Sequence, residues 1–207
     1  MKPRLSISLH EAGVRRGKAW ALRSVSWHLR PGERWALIGA NGSGKTHLLK
    51  LLSTDLWPTP LGGEHRIFRS DGARLSEAEA KPLLAYLGAE RQDKFARHDW
   101  NFSVREILTA GLQGTDIVLQ RPTARQRARV NATLRDCSLA HLAARRFLTL
   151  SYGQKRLVLL ARCLIARPQW LLLDEVYNGL DERFRRRVNA QLARARRAGQ
   201  SWGGSAH

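Results

Sequence analysis

Gly39-Ala40-Asn41-Gly42-Ser43-Gly44-Lys45-Thr46 is the stretch whose reading decides the fold. It fills the pattern G-x-x-x-x-G-K-[ST] at every specified position. The glycines let main-chain N–H groups converge without an intervening Cβ. Those N–H groups, with Asn41 and Ser43 among them, and the positive end of a following helix form a nest for anionic oxygens. Lys45 brings a point charge to the β- and γ-phosphates. Thr46 offers a hydroxyl to Mg²⁺, an ion that keeps most of its water. Mg·ATP is the ligand these residues predict.

The flanks agree with that reading. Trp35-Ala36-Leu37-Ile38 is a short apolar run entering the loop, as a strand buried on both faces would be. From Lys45 the pattern turns helical, with Leu48, Leu49, Leu51 and Leu52 on one apolar face, until Trp57-Pro58-Thr59-Pro60 and Gly62-Gly63 break it. A second apolar run, Trp170 to Leu173, ends in Asp174-Glu175. Carboxylates belong where a buried strand emerges, because their charge needs water, a metal or a partner. Asp174 is expected near the Mg²⁺ held by Thr46, and Glu175 is expected to orient and deprotonate the attacking water. Phosphoryl transfer needs little more than positioning and charge stabilisation, so two carboxylates and one lysine suffice.

Elsewhere, residues 4–9 and 20–29 alternate loosely and read as antiparallel strands. Residues 65–87 read as a small strand-and-loop region, and residues 103–165 as mostly helical. Ser151 is placed to cap a helix that stops before Pro168. Residues 182–198 form a very basic helix. Ser201-Trp202-Gly203-Gly204-Ser205-Ala206 makes a poor strand, since paired glycines weaken pairing. The predicted fold class is α/β: a P-loop NTPase (RecA-like) core with an antiparallel β subdomain and an inserted helical subdomain. The whole of 1–207 is one domain, with its core about 1–87 and 167–207 and its helical insertion about 88–166.

Lys and Arg number 36 against 17 Asp and Glu, a net charge of +19. Nucleotide phosphates, nucleic acid and an anionic membrane face all fit that excess, as does a solvated arginine-rich surface. The two cysteines show neither metal spacing nor a disulfide framework and point to a reducing cytosol. No stretch approaches the roughly 18 apolar residues of a membrane span. At a membrane, another chain would have to supply the spans.

The phosphate loop, Leu150-Ser151-Tyr152-Gly153-Gln154, Leu-Leu-Leu-Asp-Glu and Asn178-Gly179-Leu180-Asp181 resemble, in this order, the motifs of the ATP-binding cassette (ABC) ATPases. The resemblance covers nearly the whole chain. It implies that Ser151, Gly153 and Gln154 form a signature segment capping the ATP of a second cassette, through a helix N-terminus aimed at phosphate. It implies that Asp181 links the two sites across such a dimer, and that His207 is the switch histidine beside Glu175. Among ABC proteins, Tyr152 and Trp35 look like the molybdate-transport and photorepair type.

The chain departs from the family pattern in four places. Tyr152 replaces the first glycine of the signature. Arg16 stands where an aromatic residue usually stacks on adenine, with Trp20 nearby. The Q-loop residue is either Gln92 or, by strict spacing after Tyr86, a position nearer Ala89. The chain stops at His207, so a truncated C-terminal part is expected. Three functions follow from the resemblance: a transporter ATPase driving a membrane permease, a soluble ABC ATPase acting on nucleic acid or ribosomes, and a fragment that binds ATP without turnover.

Overall fold

The computed structural model describes residues 4–60 and 65–206. They divide into two compact units. One holds the described residues of Met1–Tyr86, Pro168–Glu175 and Gly199–His207, and the other holds Leu87–Arg167 and Val176–Ala198. The helical unit thus takes in residues 176–198 as well as the predicted insertion.

In the first unit the chain runs through β1 (Leu5–Arg16), β2 (Ala19–Leu29), β3 (Arg34–Ile38), α1 (Lys45–Leu52), β4 (Arg66–Ser70), β5 (Ala73–Leu75), α2 (Glu77–Ala80) and β6 (Leu84–Leu87). It returns there as β7 (Trp170–Leu173) and β8 (Ser201–Ala206). Strands β2-β1-β4-β5 form one sheet in that order, antiparallel throughout. Strands β3-β8-β7-β6 form the other, and β8 is parallel to both β3 and β7.

Leu5, Ile7, Leu9, Phe68, Leu49, Leu52 and Trp170 are fully buried in one apolar cluster. Burying each such side chain contributes about 1.5–3 kcal/mol. Trp35 of β3 lies against Trp27 of β2 and edge-on to Trp170 of β7, so tryptophans join the two sheets. The indole of Trp170 also donates to the Leu5 carbonyl at 2.8 Å.

Two expectations are corrected. Residues 201–206 form β8, an interior strand of the parallel sheet. The glycines that argued against a strand permit close approach here. A Cβ on Gly204 would fall 2.8 Å from the Leu173 carbonyl oxygen, and one on Gly203 would fall 3.3 Å from the Trp35 ring. Strand β3, expected to be buried on both faces, has Ala36 exposed and Ile38 83% exposed. It stands at one end of the strand order.

The second unit is helical: α3 (Ala89–Arg97), α4 (Val104–Leu112), α5 (Ala124–Asp136), α6 (Tyr152–Ile165) and α7 (Glu182–Arg197). Helix α6 is its centre, with Leu157, Val158, Leu159 and Leu160 fully buried. Gly111 lets α4 close onto α6, since a Cβ there would meet Arg162 Cγ at 2.5 Å. Gly153 does the same for Phe184 of α7, whose ring lies 2.6 Å from the position of an added Cβ. Both buried arginines of α6 have local partners. Arg162 donates to the Thr115 carbonyl and Asp116, and Arg156 donates to the Gly88 carbonyl at 3.2 Å with the Tyr152 ring beside it.

Candidate active site

Residues 39–46 link the end of β3 to α1. The Ser43 N–H donates to the Ala40 carbonyl at 3.2 Å, which turns the chain. Gly42 and Gly44 sit at φ 79 and 92. That left-handed region is open to glycine and strained for other L-residues. Gly44 is also hemmed in: a Cβ would lie 2.7 Å from both the Ala21 carbonyl oxygen and Leu22 Cδ2. As the N-cap of α1 it supplies no side-chain hydrogen bond, and the first turn carries no acidic residue. The helix therefore begins without a cap of its own, a terminus suited to an anion. Lys45 Nζ is folded over the loop and donates to the carbonyls of Gly39 at 2.7 Å and Ala40 at 2.9 Å. On α1, burial and then the charges of Arg16 and Lys50 push the His47 imidazole below its ordinary value. Arg16 thus adds positive field beside the loop's helix. The Trp20 ring is engaged by Gly13 and by the Arg15 guanidinium 5.8 Å from its centroid.

Asp174 and Glu175 leave the end of β7. Because β3, β8 and β7 are mutually parallel, the phosphate loop and the acidic pair leave the same carboxyl edge of one sheet, with only β8 between them. Two strand spacings put those strand ends about 10 Å apart. Helix α1 packs against both β7 and β8. This is the edge at which open α/β sheets bind ligands.

Asp174 is 5% exposed, and no ion pair reaches it among the described residues. Its carboxylate accepts from the Tyr86 hydroxyl at 3.0 Å and from the Ser205 hydroxyl at 2.6 Å. A buried carboxylate normally demands a cation as well as hydrogen bonds, so Asp174 fits a divalent ion. Among the described residues no group of three or more His, Cys, Asp or Glu could hold a metal unaided. An ion here would draw its remaining ligands from phosphate and water, as Mg²⁺ does with nucleotides. Glu175 is half-buried at φ 50, and its N–H donates to Ser205 Oγ at 3.0 Å.

The signature, Asp181 and Q-loop candidates lie in the helical unit. Ser151 is the N-cap of α6: its hydroxyl accepts from the Gln154 N–H at 3.3 Å, and the Gln154 carboxamide accepts from the Ser151 N–H at 3.0 Å. Gly153 is buried against Phe184, and Tyr152 is 44% exposed with its ring packed on Gly179. Asp181 is the N-cap of α7 and accepts from the Phe184 N–H at 2.9 Å. Gln92 lies in α3 with its buried Oε1 lacking a hydrogen-bond partner, and Ala89 is the first residue of that helix. His207 lies outside the described residues.

Tyr86 and Ser205 went unassigned in the sequence reading. The only signal for Ser205 was a serine in a segment dismissed for its glycines. Tyr86 served there only as a spacing marker.

The model of the family described as "ABC transporter" matches residues 22–178. The uncharacterized ABC transporter ATP-binding protein YmeB of Lactococcus lactis is 28% identical, over 90% of this chain and 70% of that protein. The manganese transport system ATP-binding protein of Synechocystis is 34% identical, over 86% of this chain and 66% of that protein. Among solved structures, a dimeric ATP-binding cassette in a post-hydrolysis state bound to ADP and Pi superposes with a TM-score of 0.76. It does so at 18% identity, over 97% of this chain and 88% of that one.

Proposed function

From the premise that this chain belongs to the ABC transporter family, we propose that it is the nucleotide-binding subunit of a transporter and hydrolyses ATP to ADP and phosphate. One observation carries the reading. The phosphate loop and the Asp174-Glu175 pair leave the same carboxyl edge of one parallel sheet, with α1 packed against β7 and β8. The N–H groups of Gly39 to Thr46 cradle the phosphates. Lys45 exchanges its two loop carbonyls for β- and γ-phosphate oxygens. Thr46 and Asp174 would hold Mg²⁺, which would offset the charge that develops on the phosphates. Glu175 accepts a proton from the water that attacks the γ-phosphate.

Ser151, Gly153 and Gln154 present the α6 N-terminus to the ATP of a second cassette, and Asp181 lies at that junction. Gln92 and His207 complete the set of proposed γ-phosphate sensors. The partners are ATP, a second cassette and a membrane permease. The protein would sit on the cytoplasmic face beside a permease that supplies the spans; no helix among the described residues is long and apolar enough to cross a membrane. For cargo, Tyr152 and Trp35 support a molybdate-type system. The manganese-system relative keeps metal ions in the comparison.

The test is ATPase rate per chain against protein concentration, with and without a permease encoded beside the gene. A paired cassette gives a rate that rises with concentration. Glu175→Gln should keep ATP binding, lose roughly 100- to 10,000-fold in turnover and accumulate a nucleotide-bound dimer. A Glu175→Gln protein with the wild-type rate overturns the assignment. ATP binding without turnover at any concentration marks a binding-only fragment.

A second reading has its own observation. Helix α7 exposes Arg183, Arg185, Arg186, Arg194, Arg196 and Arg197, and the chain carries +19. A soluble ABC ATPase acting on nucleic acid would show RNA or DNA affinity that falls steeply with salt.

A further inference from the structure

Strand β8 has its own part in the site. The register that pairs Leu173 with Gly204 brings Ser205 level with Asp174, where β7 ends. The Ser205 hydroxyl uses both of its capacities there. It accepts the Glu175 N–H at 3.0 Å and donates to Asp174 Oδ1 at 2.6 Å. The first contact orients the second: with the N–H on an oxygen lone pair, the hydroxyl proton is directed to the carboxylate. Tyr86 donates to the other oxygen, Oδ2, at 3.0 Å. Both oxygens of Asp174 are thereby held by hydroxyl donors, and the carboxylate plane is set. Glu175 follows at φ 50, a left-handed conformation that a non-glycine residue keeps only when its surroundings hold it. The Ser205 oxygen on its N–H is such a restraint.

We propose that Ser205 is a positioning residue that sets the metal-site carboxylate of Asp174 and the main chain of Glu175 together, so that one hydroxyl aligns both acids. The proposal rests on the ATPase reading above. Ser205 needs no contact with nucleotide or water to act; it fixes the two groups that make those contacts. Hydrogen-bond partners of metal-ligating carboxylates typically alter metal affinity or activity by about 10- to 100-fold when removed.

The experiment compares wild type, Ser205→Ala and Ser205→Thr, with Lys45→Ala as a control, well below each protein's melting midpoint. The readouts are ATP affinity in EDTA, the Mg²⁺ concentration that half-saturates turnover at saturating ATP, kcat and KM. Ser205→Ala should leave metal-free ATP affinity within about twofold of wild type, because the phosphate loop is untouched. It should also raise half-saturating Mg²⁺ and lower kcat by about 10- to 100-fold, at a nearly constant KM for ATP. Ser205→Thr should restore both. A merely structural serine would lower the melting midpoint and leave half-saturating Mg²⁺ unchanged, which overturns the proposal. Wild-type kcat in Ser205→Ala overturns it too, with the ATPase reading intact. If wild type shows no ATP binding that Lys45→Ala abolishes, the ATPase reading fails and takes this proposal with it.

Discussion

Helix α1 begins at Gly44, which offers no side-chain cap, while α6 begins at Ser151, whose capping box with Gln154 closes both ends of the first turn. Helices α2, α4 and α5 are closed in the same way, by Ser76 with Glu79, Ser103 with Glu106 and Thr123 with Gln126. Among the described α-helices only α1 and α3 lack a side-chain cap, and α3 carries Glu90 in its first turn. Helix α1 is therefore the terminus left both open and free of acid. Capping is worth about 1 kcal/mol, so an open terminus makes sense where a ligand supplies the missing acceptors.

One acid in each unit shows a second contrast. In the first, Asp174 is held by hydroxyls, with no ion pair to it among the described residues. In the helical unit, Asp116 takes Arg91 at 2.8 Å, Lys94 at 2.6 Å and Arg162 at 2.9 Å. Burial pushes the Asp116 carboxyl up, but the Lys94 hydrogen bond and the charges of Arg91, Arg162 and Lys94 outweigh it and hold the group below its ordinary value. One carboxylate is fully neutralised within the fold, and the other is set up to receive a cation.

Substitutions can break this contrast. The largest effect is expected from Lys45→Ala, which removes the loop's cation. ATP affinity should fall by about 2–5 kcal/mol, measured by calorimetry with Mg·ATP. An unchanged affinity would mean that the open α1 terminus is not the phosphate site. Next, Asp116→Asn should cost about 3 kcal/mol by denaturant unfolding, because it leaves buried Arg162 without its counter-charge. The pH dependence has a fixed sign. The folded value of Asp116 lies below the unfolded value of about 3.9, so its stabilisation is present above that pH and is lost as pH falls through the folded value. Wild type should lose melting temperature through that acid window more steeply than Asp116→Asn.

Gly44→Ala sharpens the role of the open terminus. It forces an L-residue to φ 92 and a Cβ against the Ala21 carbonyl. It should cost about 1–2 kcal/mol and weaken ATP binding as the loop shifts. The smallest effect is expected from Ser151→Ala, about 1 kcal/mol of stability from the lost cap. Its metal-free ATP affinity should stay within about twofold of wild type at low protein concentration, because α6 is proposed to serve a second cassette's nucleotide. A loss of affinity equal to that of Lys45→Ala would erase the distinction between the two helix ends.

Much of the site was legible because its chemistry is written in consecutive residues. Gly39 to Thr46 and Leu171 to Glu175 are local, and the chain needs only a strand before each to present them. Ser151 was legible as a cap for the same reason: its partner, Gln154, is three residues away. Ser205 and Tyr86 were not legible. Their hydroxyls matter only because β8 lies beside β7 and because Tyr86, far from Asp174 in sequence, meets it in space. The misread strand at 201–206 has the same cause. Paired glycines argue against a strand on local propensity, and only the neighbouring Leu173 carbonyl and Trp35 ring show why nothing larger fits.

Sequence alone determined that this chain carries a phosphate nest, a strand-end acidic pair and the ordered motifs of an ABC cassette. Those features arise from backbone freedom, charge and short-range hydrogen bonding, all set by near neighbours. Tertiary structure alone decided which hydroxyls hold Asp174, which strand lies inside the parallel sheet and which carboxylate is neutralised from within. Each of those depends on strand order and helix packing, which bring together groups that no local pattern connects.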